Sequence, residues 1–102
     1  MKIIKELSEY IEEEIEDSCK YGRRANELKD TDRQLAEVFY QLSVDEMRHM
    51  TMLHTEVVRM IEQYRKEDGE PPASMLAVYD YLHKRHIEKA QEAKNYQTMY
   101  KG

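Results

Sequence analysis

A chain of 102 residues supports one small domain, spanning 1–102, near the lower end of what a single core sustains unaided. Its formal charge of -5 lacks the basic footprint that non-specific nucleic-acid binding needs, and the lone Cys19 excludes an internal disulfide framework or a cysteine-based zinc site. No stretch reaches the apolar length of a membrane span, and the N-terminus lacks the basic-then-apolar profile of a secretory signal. Neither membrane nor nucleic acid is therefore an expected partner, and a cytoplasmic location is the expectation.

The chain reads as all-α, in three helices. Charged residues make up 36% of it, against three Gly and two Pro, a balance that favours long solvated helices. The first helix is predicted from about Ile3 to Leu28, because Ile4, Leu7, Ile11, Ser18, Tyr21, Ala25 and Leu28 recur by threes and fours. After Lys29-Asp30-Thr31, Thr31 with Gln34 reads as a capping box that starts a second helix running to about Lys66. Its stripe carries Leu35, Phe39, Leu42, Leu53, Val57, Met60 and Tyr64. Gly69 and the Pro71-Pro72 pair stop it, and a third helix follows from about Ala73 to Tyr96 with Met75, Val78, Tyr79, Leu82, Ala90 and Ala93 inward.

The short first connector makes the first two helices an antiparallel hairpin. The second helix, at about 1.5 Å per residue, is roughly 50 Å long, more than two partners from one small chain can cover. A homodimer or higher homo-oligomer is thus expected.

Charged residues interrupt these stripes in an informative way. The series 4, 7, 11, 14, 18, 21, 25, 28 passes through Glu14, and the series 35, 39, 42, 46, 49, 53 passes through Glu46 and His49. A carboxylate on an apolar face costs several kcal/mol, on the order of a buried unpaired charge, unless something compensates it. A divalent metal does so directly. Glu46 and His49 also have the Glu-x-x-His spacing that sets a carboxylate beside an imidazole on one face. Oxygen ligands with one imidazole suit iron, with manganese as the second choice. A salt-bridged core would explain any one of these residues; it explains the threefold coincidence less well.

On these residues the chain resembles the ferritin-like superfamily, in its short encapsulated-ferritin-like branch. The stretch Glu13-Glu14-Ile15-Glu16-Asp17-Ser18-Cys19-Lys20-Tyr21 is similar to that family's first-helix motif, a Glu followed seven residues later by Tyr. The resemblance covers about residues 10 to 55. It implies a ferritin-like four-helix bundle completed by dimerisation, with two irons at the dimer interface held by Glu14, Glu46 and His49. It further implies Glu46, the bridging carboxylate, and Tyr21, an aromatic beside the site, as the catalytic residues. Glu13 and Glu16 would lie on the route by which metal approaches. The implied activity is that of a ferroxidase, oxidising Fe(II) with oxygen or peroxide. Non-catalytic metal storage and a metal-free structural dimer are the rival readings. That branch also works inside an encapsulin shell, so the resemblance leaves a shell partner possible, although Tyr96 to Gly102 lacks the character of its docking peptide.

Other residues have plainer readings. His86 falls on the apolar face of the third helix and reads as a satisfied core histidine, with His83 at its flank. Asp80 lies at the edge of that face, and His54 and Glu56 read as solvated or interfacial. Cys19 reads as a partly buried small residue, and Met47, Met50, Met52 and Met60 as gap-filling side chains.

Overall fold

The computed structural model describes residues 2–102, in three α-helices: α1 Lys2–Leu28, α2 Arg33–Asp68 and α3 Ala73–Lys101. The longest dimension is 55 Å, and the radius of gyration of 16.4 Å exceeds the value of about 13 Å typical of a compact chain this size. Helix α1 lies in the middle. It packs along both α2 and α3, which touch each other little. Among the described residues no helix is long and apolar enough to cross a membrane.

The first turn is tight because the amides of Thr31 and Asp32 both donate to the Leu28 carbonyl, at 3.1 and 2.9 Å. The cap of α2 is Asp32, one residue later than the Thr31–Gln34 box predicts. Its carboxylate accepts from the Leu35 amide at 3.1 Å, satisfying a donor that has no partner within the helix. At the far end Gly69 adopts a φ of +81°, a conformation open to glycine at little cost, and α2 stops there.

The buried positions repeat at intervals of seven along each helix. Ile4, Ile11, Ser18 and Ala25 do so on α1, with Ser8, Ile15 and Gly22 beside them. On α2 Ala36, Ser43 and Val57 fit the same series, with the half-buried Met50 at the step between the last two, and His86, Ala93 and Tyr100 follow it on α3. This is the spacing that keeps two helices in contact as they wind round each other. One end of the bundle is aliphatic, built on Ile4, Ile11, Ile15, Val57 and Ile61; the other rests on Ala25, Ala36 and Tyr100.

Between them the helices approach through small residues. The Ser18 hydroxyl donates to the Ser43 carbonyl and the Ser43 hydroxyl donates to the Ser18 carbonyl, each at 2.7 Å. Gln97 of α3 donates to the Ser43 hydroxyl at 2.9 Å. Both hydroxyls are fully buried, so these bonds remove a desolvation cost of about 1–3 kcal/mol for each group. They also fix the register of α1 against α2.

Two expectations need correcting. Val78 is exposed, because α3 turns Tyr79, His86, Ala93 and Tyr100 inward instead. Helix α3 also continues five residues past Tyr96. Its last turn is anchored by Tyr100, only 2% exposed, which stacks on Tyr40 and donates its hydroxyl to Glu37 at 2.7 Å.

Candidate metal centre

Glu14 sits one turn before Ser18 on α1, and Glu46 one turn after Ser43 on α2. The serine clamp therefore sets the two carboxylates opposite each other across the α1–α2 seam. His49, one turn beyond Glu46, completes the group. Its Nδ1 lies 3.4 Å from Glu14 Oε2 and 3.9 Å from Glu46 Oε1. Ligand atoms from all three residues fall within 4.8 Å of one another, and no other group of three His, Cys, Asp or Glu does so among the described residues. Sequence periodicity and tertiary structure select the same residues.

The burial differs from a deep core. The inward face of α1 is centred on Ile11 and Ile15, so Glu14 lies at its margin, half-buried. Glu46 is 20% exposed and His49 is 47% exposed. Even so, Glu14 Oε2 is itself shielded from solvent and receives no hydrogen bond.

Electrostatics adds a second sign of tension. Glu46 is pushed up to about 7, first by hydrogen bonding with the Glu14 carboxylate, then by burial and by the Glu14 charge. His49 opposes the shift, and Asp17 adds to it. A proton on Glu46 supplies the donor that Glu14 otherwise lacks, which is how two close carboxylates share a site without a cation. A divalent cation would relieve the same repulsion. The donor set of two carboxylates and one imidazole suits iron or manganese rather than softer ions.

Tyr21 lies two turns along α1 from Glu14, half-buried and stacked on Phe39 with ring centroids 5.9 Å apart. Its hydroxyl makes no hydrogen bond among the described residues. Glu13 is exposed. Glu16 faces the other way: it pairs with Lys89 of α3 at 3.0 Å, beside Glu12, which is bound to Arg85 at 2.9 Å. The acidic residue that does act on the site is Asp17, one turn from Glu14. Its spacing of three from Glu14 was the available signal.

Ile3 and Tyr10 on α1 and Leu35, Val38 and Leu42 on α2 are large apolar side chains left exposed. At about 100° per residue they share the side of the hairpin that carries Glu14, Glu46 and His49, away from α3. On α3 the exposed Tyr81 and Met99 share a second face with Val78 beside it, and Ile87 lies on the other side of that helix.

Glu56 is exposed and bound to Arg59, Asp80 is exposed, and Cys19 is partly buried. His54 is partly covered, because α3 lies over its edge of α2 and brings it against His83. His86 is in the core, but it is not satisfied, since its Nε2 has no hydrogen-bond partner.

No protein-family model, curated protein or solved structure matches the chain. The geometry of Glu14, Glu46 and His49 therefore carries the functional argument alone.

Proposed function

We propose that the chain is a ferritin-like iron-binding protein whose Glu14, Glu46 and His49 form half of a di-iron ferroxidase site, completed by a second copy. The observation that carries this reading is the pairing of Glu14 and Glu46 beside His49, with Glu14 Oε2 shielded and without a donor. Three donors from one chain leave a metal under-coordinated. The exposed apolar strip around them offers a surface on which two hairpins would meet and bring both sets together, two irons to each pair of chains.

In that arrangement Glu14, Glu46 and His49 would hold the ions, with Glu46 as the shared carboxylate. Glu46 must give up its proton as the metal binds, and the Glu14 charge ceases to oppose its ionisation once a cation lies between them. Bound iron supplies the redox chemistry, passing electrons from Fe(II) to oxygen or peroxide. Tyr21, two turns from Glu14 on the same side of α1, is the phenol that would stand beside the site. Manganese fits the same donors and would bind without turnover.

Stopped-flow absorbance after mixing metal-free protein with Fe(II) in air tests the reading. The wild type accelerates the appearance of Fe(III), and Glu46→Ala abolishes the acceleration. Binding without acceleration would leave a storage role, and a folded wild-type chain that takes up no metal would leave the carboxylate pair as a device fixing helix register.

A further inference from the structure

On the opposite side of α2 from the strip, three of the four histidines line one cavity. His54 of α2 and His83 of α3 bring Nε2 and Nδ1 to 3.1 Å, with the rings stacked at 4.9 Å between centroids. His86, one turn after His83, is only 5% exposed, and its Nε2 is buried with no partner among the described residues. These side chains and Met50 line a cavity of about 150 Å³, which has room for an ion and a water.

We propose that His54, His83 and His86 form a second metal site, for a borderline transition-metal cation of the zinc class, between α2 and α3. A tetrahedral zinc with bonds of about 2.0–2.1 Å holds neighbouring nitrogens roughly 3.3 Å apart, so the His54–His83 pair is already near the required separation. His86 is less close, since only Glu14, Glu46 and His49 gather three ligand atoms within 4.8 Å. Its unpartnered nitrogen completes the set by a side-chain movement toward the pair, with water as a fourth ligand.

The chemistry of the lining decides the ion. No carboxylate lines the cavity, which disfavours magnesium and manganese, and imidazole with a nearby thioether suits zinc or copper. Burial holds His54 below its usual range, with His83 adding to the effect. Burial also lowers His86, against the opposing charge of Glu12. Both rings thus keep the lone pairs a metal needs. This site does not depend on the carboxylate site, and it stands whether or not the chain oxidises iron.

The test titrates Zn(II) against a chromophoric zinc indicator into the Glu46→Gln chain, which removes the bridging carboxylate of the first site. One Zn(II) per chain is expected. His83→Gln should weaken it by roughly 100-fold or more, because loss of even an outer-shell partner costs up to that amount. His54→Gln, on the other helix, should do the same, and circular dichroism checks that each variant stays helical. Co(II) in place of Zn(II) should give the visible bands of a tetrahedral nitrogen site. A folded Glu46→Gln chain that takes up no Zn(II), or an affinity unmoved by both His54→Gln and His83→Gln, would overturn the proposal and leave only a hydrogen-bonded histidine pair.

Discussion

Glu46 and Glu14 face each other across the α1–α2 seam closely enough that a proton on Glu46 is held up to a pKa of about 7. This makes the stability of the metal-free protein depend on pH in a definite direction. Glu46 ionises near 4.5 when unfolded, so the folded chain binds the proton more tightly. The advantage is fully present below pH 4.5 and is lost as the pH rises through about 7. Solvent reaches part of the site, so the loss should be about 1–2 kcal/mol rather than the full value of the shift. Urea denaturation of chelator-treated protein between pH 5 and 8 measures it. In Glu46→Gln this part of the pH dependence should vanish; an identical slope in both proteins would place the shared proton elsewhere.

The close approach of α1 and α3 gives a prediction about packing. A methyl group at Gly22 would lie 2.9 Å from the Tyr96 Cβ and 3.2 Å from the Ser43 hydroxyl. The tyrosine Cβ is tied to its helix backbone and cannot swing aside. Gly22→Ala gains about 1 kcal/mol in helix propensity but should lose about 1–3 kcal/mol to overpacking. A net loss with a lowered Tm is expected. A stabilised variant would mean that α3 does not sit this close to α1.

Much of this architecture could be read in the chain. The threes-and-fours pattern around Ile4, Ile11 and Ala25 gave α1, and the Gly69 to Pro72 break separated α2 from α3. Glu14, Glu46 and His49 stood out because each interrupts an apolar series, and the structure gathers them. What periodicity missed was which neighbour covers which edge. The inward face of α1 is rotated by one position, onto Ile15 rather than Glu14, because α3 packs on that side and draws the core toward itself. The same helix partly covers His54 and pairs with Glu16 on the side away from the site, and one chain's pattern cannot reveal a third helix's placement. The seven-residue spacing of His86, Ala93 and Tyr100 was present in the sequence, but Val78 and Leu82 masked it as a different stripe.

The dimer proposed to complete the site makes Leu42 a test position. It is large, apolar, exposed and outside both core clusters, so the fold of one chain should tolerate a charge there. Leu42→Lys would bury an uncompensated ammonium on each side of a two-fold interface, at a cost of several kcal/mol, on the order of a broken buried pair. Sedimentation velocity should show the wild type as a dimer or larger and Leu42→Lys shifted to monomer, with helicity retained. Fe(II) oxidation should fall with the assembly. A variant that assembles like the wild type would move the interface to another face.

The central claim is that Glu14, Glu46 and His49 bind a divalent metal. Mn(II) tests it most directly, since it suits the same donors and its free paramagnetic signal disappears on binding. Titration of metal-free protein with Mn(II), followed by electron paramagnetic resonance at pH 8, should show saturable uptake by the wild type. Glu14→Gln and Glu46→Gln, both folded, should each weaken that uptake by roughly 100-fold or more. Wild-type protein that leaves the free Mn(II) signal unchanged, or variants that bind as tightly as the wild type, would contradict it.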